Sequence, residues 1–174
     1  MKNHQKLYQF IFIFISCLLL CFLIGQQNLS VQAVKTATKQ TSLTKLNTII
    51  AENEAEINTL IEAQKELNTK CSEAISNALE NNLLVNEKDS KSLEKLSSNM
   101  EKQTAKLKTA KTQQEEIQEE LDAMTDTKSS KYRKNKCKII TLQNRQFKLI
   151  SQINKNIEKI IKLCTVSTVD TTTN

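Results

Sequence analysis

Residues 139–164 read IITLQNRQFKLISQINKNIEKIIKLC, and this stretch decides the fold. Its apolar residues, with two amides among them, recur alternately three and four positions apart, which is the spacing of a helix that packs along one seam. No Gly or Pro interrupts the stretch, so we predict one long helix. The seam residues are Ile139, Leu142, Gln146, Leu149, Ile153, Asn156, Ile160 and Leu163.

Two earlier segments show the same spacing and predict two further long helices. The first seam consists of Leu43, Leu46, Ile50, Asn53, Ile57, Leu60, Gln64, Leu67, Cys71, Ala74 and Ala78. The second consists of Leu93, Leu96, Met100, Gln103, Leu107, Ala110, Gln114, Ile117, Leu121 and Met124. The amides that interrupt the seams favour a role in fixing the register of the helices.

The three seams do not share one heptad register, so the chain must break between them. Turn-forming residues lie at 86–90 and at 125–130. We therefore predict an all-α fold, an antiparallel three-helix bundle with long coiled-coil-like helices at about 42–85, 91–124 and 131–165. Asp89 or Ser90 is the expected N-cap of the second helix, and Asp126 or Ser129 that of the third. Residues 34–41 are expected to be loose and residues 166–174 to form a disordered tail.

A second apolar row accompanies the third seam, and it has two interpretations. A helix that touches two neighbours needs a wide apolar stripe, so packing alone can explain the row. Alternatively, the row stays exposed and receives a helix from a partner protein. The row consists of Ile150, Ile157, Ile161 and Cys164.

A basic cluster begins the third helix. It can act as a nuclear import signal or steer an anionic partner, or it can pair with the acidic end of the second helix across the hairpin. The acidic residues concerned are Glu115, Glu116, Glu119, Glu120 and Asp122. The cluster consists of Lys128, Lys131, Arg133, Lys134, Lys136 and Lys138.

The composition after residue 33 argues against enzymatic chemistry. From Val34 to Asn174 there is no His, Gly, Pro or Trp. Without His, the Ser, Thr and Cys residues lack the usual general base, and without Gly no phosphate-binding loop can form. We therefore expect no catalytic residues, no metal site and no cofactor.

Three cysteines remain after residue 33, and we expect no disulfide within the chain; the alternative is an intermolecular bridge through one exposed cysteine. Cys137 and Cys164 lie 27 residues apart on one predicted helix, about 40 Å along its axis, which is too far for a disulfide. The predicted breaks place Cys71 near the level of residue 148, several turns from either. Cys71 occupies a seam position and is interpreted as a small buried hydrophobic residue.

The first 33 residues have the pattern of a secretory signal peptide. Lys2 and Lys6 precede an apolar segment at 10–24, and a small residue, Ala33, precedes the expected cleavage site before Val34. The alternative is an uncleaved membrane anchor. Cleavage would remove two lysines and leave 23 basic and 19 acidic residues, a mild balance that does not require a nucleic acid partner.

This N-terminal segment resembles the sequence-variable mosaic signal of phytoplasma secreted proteins. The resemblance rests on the lysine-bearing start, the apolar core, the run Leu23-Ile24-Gly25-Gln26-Gln27-Asn28 and the end Val31-Gln32-Ala33. The Lys-, Asn-, Thr- and Ile-rich composition after it is similar to that of proteins from AT-rich genomes. The resemblance implies a virulence effector that a wall-less bacterium exports into plant cytoplasm.

These observations lead to one functional hypothesis and one alternative. The hypothesis is a secreted, non-enzymatic helical interaction protein, a bacterial virulence effector that binds a host protein through a helix face in the host cytoplasm or nucleus. The alternative is a structural or surface coiled-coil protein that self-associates or is tethered by an uncleaved anchor. No direct nucleic acid partner is expected, and membrane contact is expected only if the signal segment is retained.

Overall fold

The structure is a computed structural model that describes residues 41–81 and 87–166. The predicted signal peptide, its cleavage between Ala33 and Val34, residues 34–40 and the tail from 167 onwards lie outside the described residues. The fold and the internal sites are therefore those of the three segments that carry the seams.

Three α-helices make up the described part of the chain, and no strand is present there. They are α1 (Leu43–Glu80), α2 (Glu87–Asp122) and α3 (Ser130–Val166). Helix α1 packs against α3, and α2 also packs against α3. The prediction of an all-α three-helix bundle is confirmed.

The hydrogen bonds between side chains of different helices show the directions of the chain. Gln114 of α2 bonds to Gln146 of α3, and Glu120 of α2 bonds to Asn135 of α3. The residue numbers rise along α2 while they fall along α3, so these two helices are antiparallel. Arg133 donates to the carbonyl oxygen of Thr41, and Gln143 donates to that of Ile50. Residue numbers rise together in these two pairs, so α1 and α3 are parallel, as an up-down-up bundle requires.

The chain forms two compact units, each of which contains a part of all three helices. In the described residues, the first unit comprises 63–81, 87–104 and 152–166, and the second comprises 41–62 and 105–151. In the second unit Leu46, Ile49 and Ile140 form an apolar cluster, with Cys137 packed against it. Each unit therefore has its own set of contacts between α3 and its neighbours.

The first hairpin differs from its prediction. Helix α1 ends at Glu80 rather than near residue 85, and the backbone and side-chain amides of Asn81 both donate to the carbonyl oxygen of Asn77. Helix α2 begins at Glu87, so Asp89 and Ser90 lie in its first turn and the prediction that one of them is the N-cap is wrong. Local capping signals misled the prediction because Asp and Ser are also tolerated in a first helical turn.

The second hairpin agrees with its prediction. The Ser129 hydroxyl accepts a hydrogen bond from the Tyr132 amide at 3.1 Å, which is the geometry of an N-cap. The Asp126 carboxylate accepts from the Lys128 amide at 2.9 Å and tightens the turn before it. Ser129 is therefore the N-cap of α3, one of the two residues predicted for that role.

The buried residues are unusually polar for a small bundle. The apolar ones follow the predicted seams and the second apolar row of α3, with Leu46, Cys71, Ala78, Ala110, Ile150 and Ile157 fully buried. Eight buried amides and one buried serine lie among them, and an amide needs a hydrogen-bond partner when it leaves water. These polar residues are Asn53, Gln64, Asn68, Ser97, Asn135, Gln143, Gln146, Asn154 and Asn156.

The N-cap of α3 provides a first test. Ser129→Ala is expected to lower the free energy of unfolding by about 1 kcal/mol, because the amides of the first turn lose their acceptor. Ser130→Ala, at the exposed first residue of the helix, is the control and should change the free energy little. Urea denaturation followed by circular dichroism measures both; equal effects would contradict the assignment of the cap.

Candidate functional site

The apolar row proposed as a docking surface is internal. Ile150, Ile157 and Cys164 are buried, with at most 2% of each residue exposed, and Ile161 is half-buried. The interpretation as an exposed partner site is therefore wrong for these residues, and the packing interpretation is confirmed. The physical reason is that α3 has two helical neighbours and needs apolar residues on two sides.

The amides in the seams pair between α2 and α3 in both units. In the first unit, Asn156 donates to the side-chain oxygen of Gln103 at 3.0 Å. In the second unit, Gln146 donates to the side-chain oxygen of Gln114 at 2.8 Å. These bonds satisfy buried groups and favour one axial alignment, so the predicted role of the amides in fixing register is supported by their geometry.

The basic cluster pairs in part with the preceding helix. The Lys131 ammonium lies 2.5 Å from a carboxylate oxygen of Glu120, and Asn135 donates to the other oxygen at 2.8 Å. The hydrogen bonds from Lys131 and Asn135 hold the pKa of Glu120 below its usual value. The predicted pairing across the hairpin thus occurs at Glu120.

The remaining members of the cluster have different surroundings. Arg133 bonds to the Thr41 carbonyl oxygen, and the Lys136 ammonium lies 5.5 Å from the centre of the Tyr132 ring, a cation–π arrangement. Lys128, Lys134 and Lys138 are exposed. The structure therefore divides the cluster into residues that hold the hairpin and residues available to a partner, and its role in nuclear import stays a prediction.

Cys71 and Cys164 both lie in the first unit, close enough for the charge of one to act on the other, contrary to expectation. Burial raises the pKa of Cys71 to about 12, and the charge that the Cys164 thiol would carry adds to the rise. Burial also raises the pKa of Cys164 to about 11. The prediction that Cys71 lies several turns from Cys164 is therefore wrong. Cys71, Cys137 and Cys164 are free thiols.

Other chemistry is sparse in the part of the chain that the structure describes. Among residues 41–81 and 87–166, no group of three or more His, Cys, Asp and Glu could hold a metal ion. A shallow, open depression on α2 is lined by Lys88, Lys91, Ser92 and Lys95. No described helix has both the length and the apolar content needed to cross a bilayer.

The sequence interpretation missed one surface on α3. Ten exposed positions follow one another three and four residues apart along this helix, and eight of them are basic. The signal was present in the sequence, because basic residues show the same periodicity as the apolar seams. We call this surface the outer face of α3; it consists of Lys131, Lys134, Lys138, Thr141, Arg145, Lys148, Gln152, Lys155, Lys159 and Lys162.

The fold and this surface define the chain as a three-helix bundle with one strongly basic helix. Comparison with protein-family models, with curated proteins and with solved structures finds no match.

The internal position of the predicted docking row can be tested by truncation. Ile157→Ala is expected to lower the free energy of unfolding by about 2–5 kcal/mol, because it removes apolar atoms from a fully buried site and leaves a cavity. Ile161→Ala, at a half-buried position of the same helix, should cost clearly less. Chemical denaturation compares the two; a smaller loss for Ile157 would contradict the burial of the row.

The proximity of the two buried thiols can be tested by cross-linking. Burial and the raised pKa values leave little of the reactive thiolate, so diamide, an azo oxidant, is expected to join Cys71 to Cys164 within one chain slowly, and faster at alkaline pH; the two thiols lose two hydrogens and the oxidant is reduced to a hydrazine. The loss of about 2 Da and a cross-linked peptide pair are read by mass spectrometry. Cys137→Ser should leave the cross-link intact and Cys164→Ser should abolish it; a link to Cys137 instead would contradict the observed neighbours.

Proposed function

We propose that this chain is an exported, non-enzymatic helical interaction protein, a bacterial virulence effector that binds a host protein through an outer helix face. The observation that carries the proposal is the segregation of charge among the helices. Helix α3 has ten basic residues and one acidic residue, whereas α1 has three basic and seven acidic residues. Patches of one sign steer and orient a partner of the opposite sign.

The burial of the apolar rows supports outer faces as the contact surface. Ile150, Ile157 and Cys164 of the second apolar row are buried inside the bundle, so a partner protein would contact the charged outer surface. On α1, Glu66, Glu73 and Glu80 are exposed and seven residues apart, which places them on one side of the helix. The acidic face of α1 and the outer face of α3 are therefore the two candidate contact surfaces.

Charge reversal of each face tests this proposal. An interaction screen with the exported form is repeated with Glu66→Lys, Glu73→Lys and Glu80→Lys together, and separately with Lys148→Glu, Lys155→Glu and Lys162→Glu together. A host partner is expected to be lost with one triple variant and retained with the other, which serves as its control. A partner retained by both variants would show that neither face is the contact surface.

The exported product itself tests the secretory part of the proposal. N-terminal sequencing is expected to begin at Val34, because cleavage follows Ala33. A product that still carries the first 33 residues would favour the tethered form of the alternative.

A second candidate function, self-association, is favoured by the matching of the same two faces. Lys148, Lys155 and Lys162 are also exposed and seven residues apart, so they can meet the three glutamates of a second copy in one alignment. Each triple variant alone should then abolish assembly, and a mixture of the two should restore it, because the reversed faces are again complementary. Sedimentation velocity at low salt distinguishes this outcome from a monomer that binds a host protein.

A further inference from the structure

We propose that the outer face of α3 binds the surface of a membrane that contains anionic lipids. The inference goes beyond the proposed function, and it adds to the sequence-based expectation, which tied membrane contact to the N-terminal segment alone. Its basis is the placement of eight basic side chains on one exposed side of a single uninterrupted helix.

The face is long and nearly uniform in sign. In the second unit it extends about 26 Å along the helix axis, from Lys131 to Lys148, and in the first unit about 10 Å, from Lys155 to Lys162, at 1.5 Å per residue. Its two neutral members, Thr141 and Gln152, are polar, and the one acidic residue of the helix, Glu158, is exposed beside it. An anionic surface that lies along the outer face therefore contacts a basic residue at eight of its ten positions.

Most of these charges have no internal partner. Lys131 pairs with Glu120 and the charge of Lys138 acts on the same carboxylate, whereas the other six basic members form no ion pair with any residue in the described ranges 41–81 and 87–166. A charge that is already compensated contributes little to binding, so the uncompensated ones carry the interaction. They are Lys134, Arg145, Lys148, Lys155, Lys159 and Lys162.

A membrane fits this arrangement better than a duplex nucleic acid. A plane stays within reach of lysine and arginine side chains on one side of a helix, because a row with a period of 3.5 residues drifts by only about 20° per heptad. The phosphates of a duplex wind around their axis, so a row of charges meets them only at intervals. Seven of the eight basic residues are lysines, which act as hydrated point charges rather than as bidentate readers of bases.

A membrane also fits better than an acidic helix of a partner protein. The outer face contains no apolar residue, so a second helix would gain only exposed ion pairs, which stabilise little. Basic residues near an anionic bilayer instead act together on a continuous negative surface. The absence of apolar residues from the face further implies a peripheral, salt-reversible contact without insertion.

Cosedimentation with lipid vesicles tests the inference. The exported form, residues 34–174, is used after its helical content has been checked by circular dichroism; if it is not helical, the full chain is used for every variant. Vesicles of phosphatidylcholine alone are compared with vesicles that contain 30 mol% phosphatidylserine. We expect binding only to the anionic vesicles, and its loss when the salt concentration is raised from about 50 to about 500 mM.

Matched variants separate the face from the net charge. Replacement of Lys148, Lys155 and Lys159 by Gln is expected to weaken binding on the order of 100-fold, about fivefold for each lysine removed. Replacement of Lys102, Lys106 and Lys108 by Gln removes the same charge from exposed positions of α2. This control should weaken binding much less.

Four results would overturn the inference. The first two are binding that does not depend on phosphatidylserine and equal losses of affinity for the two triple variants. The other two are tighter binding, per negative charge, to a 20-bp duplex or to polyglutamate than to the anionic vesicles. Capture of a host protein is measured in a separate screen that also tests the acidic face of α1, so this inference and the proposed function can fail separately.

Discussion

The structure depends on the packing of α3 against two helices at once. Helices α1 and α2 both pack against it, and buried positions on α3 include Ile140 and Ile150 as well as Ile139 and Ile153. A helix with a single partner would need only a narrow seam of apolar residues. The second apolar row of α3 is therefore the consequence of its central position, and it supplies contacts that a two-helix hairpin would lack.

Buried amides restrict the ways in which these contacts can form. Gln143 donates to the carbonyl oxygen of Ile50 at 3.0 Å, and Gln146 and Asn156 bond to glutamines of α2. A shift of one helix along another would leave such groups buried without partners, at about 1–3 kcal/mol each. The side-chain oxygens of Asn68 and Gln143 already lack a partner among the described residues. The core thus favours one register at some cost in stability.

The sequence predicted the number and type of helices well, because apolar spacing and the absence of Gly and Pro act locally. The predicted surroundings of Cys71 were wrong because a hairpin reverses the chain. An error in the residue at which the chain turns therefore shifts the predicted facing residue by twice that error. Helix α1 ends at Glu80 and not near residue 85. The separation of 93 residues between Gln143 and Ile50 equals that between Cys164 and Cys71, whose charges act on one another in the first unit. Such a register depends on long-range contacts that no local pattern encodes.

Apart from Lys131, which pairs with Glu120 across the second hairpin, the basic residues on the outer face of α3 have no explanation in the packing of the helix. Lys134 and Lys138, and Lys155 and Lys159, are like charges four residues apart, and such pairs destabilise a helix by about 0.2–0.5 kcal/mol each. Glutamates at alternate positions would give favourable pairs at the same sites without any change in the core. The repulsion between these exposed lysines therefore destabilises the helix, and folding of the bundle does not require it. A positive surface maintained against this repulsion is more readily explained by an anionic partner than by the stability of the bundle.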